Sequence, residues 1–417
     1  MFEYNDEFWN LARDTEEECA SRFRLIDKTF EKNQIRVLEA FIKNRVSERH
    51  LFGTTGYGYD DTGRATIDKV YADVMGCESA LVRHNFVSGT HTLTVCLFGI
   101  LRPGDKLVCV TGKPYDSLEK VIGIGGYKNG SLADFGVRYS QVDFLNGDLD
   151  YEEISKECQD AKLVYIQRSR GYSSRRSLSV TEAEEIIRKI KKINKEIIIM
   201  IDNCYCEFVQ EREPAMADLI IGSLIKNPGG GIARTGGYIV GKRNLVALCA
   251  NRLTAPGIGA EVGCSLEQNR EILLGLFMAP QAVANALKTA IFCASLFEKL
   301  GFSVNPGSSD SRVDIVQRIK LGDKEKMRTF CVGVQAASPI DSFVKPEEWD
   351  MPGYQEKIIM SSGSFTMGAT IESSADGPMR EPYAVYYQGG LNFPSGKLCV
   401  MEAAWRLIRP GSSDQGE

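Results

Sequence analysis

The feature that most constrains the fold of this chain is a series of short, continuous apolar segments that alternate with helical patterns between residues 65 and 241. Segments without polar alternation are typical of strands buried on both faces, as in a parallel sheet covered by helices. The pattern therefore predicts an α/β domain with a mainly parallel central sheet. The predicted strands are 79–83, 106–110, 137–142, 163–167, 197–201, 219–222 and 237–240, and the predicted helices are 66–75, 89–101 and 181–193.

Different patterns flank this domain on both sides. Residues 1–50 have apolar side chains at helical spacing, and a glycine-rich segment at 53–64 follows and predicts a loop. After Pro280 a helical pattern continues to about residue 300, and the remainder, with a final helix at 396–408, indicates a smaller α+β domain. We therefore predict an N-terminal helical segment at 1–50, a large domain at 51–270, and a linking helix with a small C-terminal domain at 271–417.

Composition and charge exclude several classes of protein. Lys and Arg number 50 against 55 Asp and Glu, a net charge of −5 without a basic cluster, which argues against nucleic-acid binding. The longest apolar window, 272–287, is short and contains Pro280, so we expect no membrane span. The first ten residues lack a secretory pattern and the twelve cysteines have no framework spacing, so we expect a cytoplasmic protein. Cys204 and Cys206 have no His or Cys nearby, and we expect no metal site.

Two charged residues follow neighbouring strand candidates, where ligands bind in α/β sheets. Asp202 comes directly after the segment 197–201, and Lys226 comes 24 residues later, before a Pro-Gly-Gly-Gly sequence. Asp202 is either a turn former or a carboxylate that points into a site. Lys226 is either an exposed loop lysine or a functional amine, and the adjacent glycines favour close approach of the backbone to a bulky group.

An anion site is predicted after the first strand, in the sequence Ser88-Gly89-Thr90-His91. A glycine that leads into a helix leaves backbone N–H groups facing outward, and the helix dipole favours a negative charge there. The alternative is a serine N-cap with no ligand. His91 either stacks against a ligand or packs at the start of the helix.

The three elements together favour one cofactor. Pyridoxal 5′-phosphate needs a lysine amine for a Schiff base, a carboxylate that keeps the pyridine nitrogen protonated, and a phosphate site. Lys226 supplies the amine, Asp202 supplies the carboxylate, and residues 88–91 supply the phosphate site. The chain has no G-x-x-x-x-G-K-[ST], G-x-S-x-G or H-E-x-x-H motif, and its G-x-G-G at 123–126 fails the dinucleotide fingerprint, so we set aside those chemistries.

On these and further motifs, the chain resembles the fold-type-I pyridoxal-phosphate enzymes, and most closely the bacterial methionine gamma-lyase-like or aluminium-resistance family, whose members are assigned as cystathionine beta-lyases. The motifs are TTGYGYDDTGR (54–64), SGTHTL (88–93), LRPGD (101–105), IQRSRGYSSRRSL (166–178), DNCYCEFVQEREP (202–214), SLIKNPGGG (223–231), RLTAPGIG (252–259) and ADGPMREPYAVYYQGGL (375–391). The resemblance covers nearly the whole chain. It implies the fold-type-I transferase fold, a homodimer or homotetramer with sites shared between subunits, and pyridoxal phosphate as cofactor.

The resemblance also implies roles for individual residues. Lys226 would carry the cofactor and Asp202 would face the pyridine nitrogen. The phosphate would be held by Ser88, Gly89, Thr90 and Ser223, with Tyr59 and Arg64 reaching it from a neighbouring subunit. Tyr115 would stack on the ring, and Tyr115 or Tyr57 would protonate the leaving group. Arg380 would bind the substrate α-carboxylate with a bidentate fork, its alternative being an ion-pair residue.

The implied reaction is that of a carbon–sulfur lyase acting on a sulfur amino acid, of the methionine gamma-lyase or cystathionine beta-lyase type, with a thiol, ammonia and a 2-oxo acid as products. The segment Arg168–Tyr172 either faces this site or forms a charged loop paired with acidic neighbours. Alternatives are a pyridoxal-phosphate aminotransferase, another amino-acid lyase, or a non-catalytic protein that keeps the fold for binding. Which sulfur amino acid is used, and whether the β or γ bond breaks, stays open at this point.

Overall fold

The structure, a computed structural model, describes residues 2–409, and these form two compact units. Unit 1 comprises the chain up to Lys32 together with residues from Met278 onward, and unit 2 comprises Asn33–Phe277. The boundaries fall inside two long helices, α1 (Asp6–Lys43) and α8 (Asn269–Lys299). A continuous helix carries the chain across each boundary of these units, whereas the predicted division at 50 and 270 follows the glycine-rich segment and the start of the linking helix.

Unit 2 is built on a seven-stranded sheet with the order β1-β9-β8-β7-β6-β2-β3. Pairing is parallel from β8 through to β3, whereas β9 runs antiparallel to both β8 and β1. The strands are β1 (Ser79–Arg83), β2 (Lys106–Cys109), β3 (Arg138–Gln141), a small hairpin of β4 (Phe144–Leu145) and β5 (Asp148–Leu149), β6 (Leu163–Gln167), β7 (Ile198–Asp202), β8 (Leu219–Ser223) and β9 (Gly237–Gly241). The expected α/β domain with a mainly parallel sheet is confirmed.

Helices precede, connect and follow the strands of this sheet along the chain. They are α2 (Thr62–Met75), α3 (Gly89–Ile100), α4 (Asp116–Ile122), α5 (Tyr151–Glu157), α6 (Val180–Ile193) and α7 (Arg243–Leu253), with 3-10 turns at Glu48–Leu51, Ile124–Gly126 and Asn227–Gly229. The central strands β6, β8 and β9 are buried along their whole length. Their continuous apolar sequence is thus explained by burial on both faces.

Local sequence fixes where the helices begin. Ser179 and Glu182 form a reciprocal capping box at the start of α6, which satisfies two backbone donors. Asp61 accepts the N–H of Arg64, so α2 begins at Thr62, inside the segment predicted as loop and four residues before the predicted start at 66. The glycine-rich sequence hid this cap, because glycine next to a helix start lowers the apparent helical pattern.

Unit 1 contains a five-stranded antiparallel sheet with the order β10-β11-β14-β13-β12. Its elements are β10 (Ser303–Asn305), β11 (Gln317–Lys320), β12 (Ile358–Ser361), β13 (Ser373–Pro378), β14 (Ala384–Gly389), α9 (Lys324–Ala336) and α10 (Phe393–Ile408). Phe292, Phe330 and Tyr387 are buried in its core. This agrees with the expected small α+β domain, of which residues 410–417 lie outside the described residues.

Helix α8 starts earlier than predicted and contains Pro280 within it. Proline has no backbone N–H to donate within a helix, so the sequence predicts a helix that starts after Pro280. This helix is also the one described element long and apolar enough to cross a membrane by length and composition, but 67% of its most apolar window is buried inside the protein. Such burial is typical of a core helix.

Candidate active site

Asp202 is the last residue of β7, at the carboxyl edge of the parallel strands of unit 2. Its side chain is buried, Oδ2 accepts the hydroxyl of Tyr165 at 3.0 Å, and Oδ1 accepts the N–H of Cys204 at 3.1 Å. Burial raises the pKa of the Asp202 carboxyl, and the hydrogen bonds from Cys204 and Tyr165 oppose that change. The carboxylate is therefore held in one orientation and made more basic than an exposed aspartate.

Lys226 comes three residues after the end of the neighbouring strand β8. Since β7 and β8 are parallel, with Asp202 opposite Ile221, both residues belong to the same edge of the sheet. The side chain of Lys226 is half-buried, and its Nζ lies 4.8 Å from the ring centroid of Tyr205. The structure thus brings the predicted amine and the predicted carboxylate to one edge.

The packing of the chain's own backbone requires one of the glycines after Lys226. A Cβ on Gly229 would lie 1.7 Å from the carbonyl oxygen of Leu224, and a Cβ on Gly275 would lie 2.4 Å from the carbonyl oxygen of Gly229. At Gly229 the close approach is to the chain's own backbone. The next residue after the lysine, Asn227, is buried, and its Nδ2 donates to the carbonyl of Glu207 at 2.9 Å.

The predicted anion site is formed by the start of α3 and the end of β8. Gly89 is the first residue of α3, and a Cβ placed on it would lie 3.5 Å from Cβ of Ser223 and 3.7 Å from Sγ of Cys204. Ser223 is 1% exposed, and its Oγ has no hydrogen-bond partner within the described part of the chain. A buried hydroxyl beside helix N–H groups fits an anion such as a phosphate.

Two other hydroxyls predicted at this site have partners of their own. Ser88 caps α3 by accepting the N–H of His91 at 3.0 Å, and Oγ1 of Thr90 lies 2.5 Å from Oγ of Ser117. The sequence predicts Ser88 either as an N-cap or as part of the anion site. In the structure its hydroxyl is the N-cap. At Thr90 the backbone N–H, rather than the side chain, is the donor available in the first turn of a helix.

His91 packs at the start of α3. Its Nδ1 accepts the N–H of Val87 at 3.2 Å, and its ring centroid lies 5.8 Å from that of Phe86. Burial lowers the pKa of the His91 imidazole. His91 therefore packs against its own turn, and stacking of its ring against a ligand stays a prediction.

Tyr115 is anchored to the strand on the other side of β7. Its N–H donates to Oε1 of Gln167, the last residue of β6, at 2.8 Å. Its ring lies 5.7 Å from that of Tyr172, and a Cβ on Gly171 would lie 2.9 Å from the Tyr115 ring. Tyr115 therefore belongs to the same edge of the sheet as Asp202.

The segment after β6 contains a fully buried arginine. Arg168 donates to Oδ1 of Asn203 at 2.6 Å, to Oε1 of Gln210 at 3.0 Å and to the carbonyl of Leu178 at 3.2 Å, and it lies 3.8 Å from Glu213. This arrangement agrees with the paired-loop alternative, although amides rather than carboxylates are its nearest partners. The residue after Asp202 is thereby fixed in place.

In the segment with Tyr57, Tyr59 and Arg64 the arginine is buried and the two tyrosines are exposed. Arg64 is buried, and its guanidinium donates to the carbonyls of Gly58, Glu261 and Gly263 of its own chain. Within its own chain Arg64 is therefore a structural anchor, and its role as a phosphate ligand of a neighbouring subunit stays a prediction. Burial lowers the pKa of the Arg64 guanidinium. Tyr57 and Tyr59 are 70% and 65% exposed, with ring centroids 5.5 Å apart.

Arg380 lies in unit 1, and its Nη1 donates to Oε1 of Glu356 at 2.8 Å. The ion-pair alternative is therefore what the structure shows for this residue. Both side chains are more than a third exposed, so the pair is a weak one.

Sequence reasoning missed several residues around Asp202. Tyr165 and Glu207 are buried within apolar sequence, and nothing in that pattern distinguishes a tyrosine that donates to a carboxylate from one that only packs. The hydroxyl of Tyr238 donates to Oε1 of Glu207 at 2.7 Å, and burial raises the pKa of the Glu207 carboxyl well above its usual range. Among residues 2–409, no group of three or more His, Cys, Asp or Glu side chains is gathered to hold a metal ion.

The fold of the chain is that of the fold-type-I pyridoxal-phosphate-dependent enzymes. A solved structure described as the pyridoxal-5′-phosphate-dependent protein YhfS from Escherichia coli matches 92% of this chain and 97% of its own with a TM-score of 0.61. At 15% identity this likeness shows the fold alone.

The sequence profile of methionine gamma-lyase matches residues 8–408, and the chain belongs to the methionine gamma-lyase family. The uncharacterized Bacillus subtilis protein YnbB is 47% identical over 403 residues, which cover 95% of this chain and 96% of YnbB. A structure described as a carbon-sulfur lyase involved in aluminum resistance from Clostridium novyi NT is 45% identical, with a TM-score of 0.93, and covers 98% of this chain and 97% of that one. The family confirms an enzyme of the pyridoxal-phosphate-dependent lyases.

Proposed function

We propose that this protein is a pyridoxal-phosphate-dependent carbon–sulfur lyase that cleaves a sulfur-containing amino acid and releases a thiol, ammonia and a 2-oxo acid. The observation that carries the proposal is the shared sheet edge of Asp202 and Lys226, with the orphaned hydroxyl of Ser223 beside Gly89. An amine, a basic carboxylate and an anion site are the three groups this cofactor requires.

The described residues fit the cofactor, and each has a defined task. When bound, pyridoxal phosphate joins amino groups covalently and withdraws electrons from the bond at Cα that breaks. Ser223, with the first N–H groups of α3 at Gly89 and Thr90, would hold the phosphate. The ring of Tyr115 would lie against the cofactor ring.

Proton movements would fall to three residues. The amine of Lys226 would take the proton from Cα of the substrate, a task that needs its neutral form. Asp202 would hold a proton at the pyridine nitrogen, and its raised pKa strengthens that hydrogen bond. Tyr115, or Tyr57 from a neighbouring subunit, would donate a proton to the departing sulfur. Arg380 would bind the substrate α-carboxylate by exchanging its weak ion pair with Glu356.

The protein would act as a homo-oligomer in the cytoplasm, dimeric or tetrameric. Large apolar side chains of unit 2 are exposed, including Ile42 at 68%, Tyr57 at 70% and Tyr59 at 65%, as in surfaces that a second copy covers. None of the twelve cysteines, all within residues 2–409, forms a disulfide, which suits a reducing compartment.

The first test is a visible absorption spectrum of the purified protein supplied with pyridoxal phosphate, before and after borohydride reduction, with peptide mapping of the product. We expect a yellow band that reduction removes, with the label on Lys226. Lys226→Ala should show neither band nor turnover, whereas the matched change at an exposed lysine of unit 2, Lys128→Ala, should keep both. A protein that is colourless after incubation with saturating cofactor and removal of the unbound cofactor would overturn the proposal.

The second test defines the reaction. Methionine, cystathionine and cysteine would each be supplied, and 2-oxo acid and thiol measured with and without an acceptor keto acid. Release of 2-oxo acid together with thiol, independent of the acceptor, supports elimination. Product that forms only with the acceptor would assign an aminotransferase instead.

A further inference from the structure

Tyr205 adopts a backbone conformation that a tyrosine rarely takes. It is the third residue of a tight turn after β7, in which the N–H of Cys206 donates to the carbonyl of Asn203 at 2.9 Å, and its φ is +70°. A turn with positive φ at its third residue favours glycine or asparagine. An aromatic side chain at such a position is an outlier, and outliers of this kind gather at functional sites.

The ring of Tyr205 lies against the amine that the proposed reaction needs. The Nζ atom of Lys226 is 4.8 Å from the ring centroid, within the range of a cation–π interaction. Strand β8 separates the two residues in the sequence, and they meet because β7 and β8 pair side by side. The strained turn therefore aims an aromatic face at the edge of the sheet.

Both sides of this contact are anchored by buried groups. Arg168, which is fully buried, holds Asn203 at the start of the turn with a bond of 2.6 Å. Asn227, directly after Lys226, is also fully buried and donates to the carbonyl of Glu207, two residues after Tyr205. The ring and the lysine backbone are thus tied to one another through a short hydrogen-bonded path.

We propose that Tyr205 is a positioning residue for Lys226, whose ring face holds the ammonium group at the sheet edge and favours its protonated form. The description of this edge as an active site rests on the proposed function; the contact itself does not. Glycine would occupy this position of the turn without strain. The presence of tyrosine there therefore indicates a role for its side chain.

The contact can be measured on cofactor-free protein by trace labelling with acetic anhydride. The label on Lys226 is quantified by peptide mass spectrometry and normalised to the exposed Lys128 as an internal reference. Tyr205→Asn keeps a residue that tolerates positive φ but removes the ring, and Tyr205→Phe keeps the ring face. Thermal unfolding midpoints equal to or above that of the natural protein, in both variants, establish that the turn is retained.

At pH 8 we expect the relative labelling of Lys226 to rise about two- to five-fold in Tyr205→Asn, because loss of a cation–π interaction increases the neutral fraction of the amine. Tyr205→Phe should label as the natural protein does. The ratio of Lys226 labelling in Tyr205→Asn to that in the natural protein should fall towards one at pH 11, above the usual pKa of lysine. If the variant only made Lys226 more accessible, this ratio would stay constant with pH. A constant ratio, or unchanged labelling in Tyr205→Asn, overturns the proposal, as does a Phe variant that behaves like Asn.

This measurement and the test of the proposed function fail independently. Labelling requires no cofactor, so a protein that takes up no pyridoxal phosphate can still show the effect of the ring on Lys226.

Discussion

The hydroxyl of Tyr165, on β6, donates a hydrogen bond of 3.0 Å to Oδ2 of Asp202, on the adjacent strand β7. Both side chains are buried, so water cannot replace this donor. In Tyr165→Phe the carboxylate keeps the backbone N–H and the side chain of Cys204 as donors. A hydrogen bond to a charged group contributes about 1.5–3 kcal/mol, so we expect kcat to fall at least ~10-fold. Steady-state kinetics at saturating cofactor would measure this.

The matched control is Tyr387→Phe in unit 1, where a buried tyrosine bonds to Ser373 at 3.0 Å. It removes an equivalent buried hydroxyl whose partner is a serine rather than the carboxylate of Asp202, and kcat should stay near that of the natural protein. Equal losses in the two variants would mean that Tyr165 acts only through stability.

Ser223→Ala separates cofactor binding from folding. The hydroxyl of Ser223 is buried without a partner in the described residues, so its removal should leave the cofactor-free protein as stable or slightly more stable. The affinity for pyridoxal phosphate should fall about 10-fold, from the loss of one bond to a charged phosphate. Fluorescence titration with cofactor and urea unfolding of the cofactor-free protein give the two quantities. An unchanged affinity would remove Ser223 from the phosphate site.

Arg64→Met tests whether Arg64 is a structural anchor. Its guanidinium bonds to three carbonyls of its own chain, which the change would leave without donors. We expect the free energy of unfolding of cofactor-free unit 2 to fall by about 2–4 kcal/mol, from loss of buried hydrogen bonds to a charged group. Urea unfolding without cofactor measures this loss. If stability were unchanged and only cofactor affinity fell, Arg64 would be a phosphate ligand after all.

Glu207→Gln tests the protonation of a buried carboxyl. Burial raises the pKa of Glu207 well above its usual range, while the bond from Tyr238 opposes this. The folded protein therefore holds a proton that the unfolded chain releases above about pH 4.5. The contribution of this group to stability is complete below that pH and is lost as pH rises towards the folded pKa, by up to ~1.4 kcal/mol per pH unit.

Glutamine keeps an acceptor for Tyr238 but does not titrate. The difference in unfolding free energy between Glu207→Gln and the natural protein should therefore grow in favour of the variant between about pH 5 and 8. Urea unfolding across this range would show it. Glu196→Gln, at an exposed glutamate, should give a difference that does not change with pH in this way. A flat difference for Glu207→Gln would mean that the carboxyl is ionised in the folded protein.

The sequence was sufficient to predict the parts of the site that follow from strand order. Asp202 and Lys226 end up together because residues after parallel strands share an edge, a rule that needs no side-chain coordinates. The partners of Arg64 could not be predicted, since Gly263 is 199 residues away and offers only a backbone carbonyl. Tyr205 was missed for a related reason: a positive φ leaves no mark in a sequence unless glycine or asparagine occupies the position.

Unit 1 is assembled from both ends of the chain, with the 245 residues of unit 2 (33–277) between its two parts. During synthesis on the ribosome, unit 2 is therefore complete before the second part of unit 1, from Met278 onward, has been added. At roughly 5–20 residues per second, this second part takes several seconds or more to synthesise. During that interval the first part of unit 1 lacks the strands whose apolar side chains cover Tyr4 and Phe8 in the folded protein.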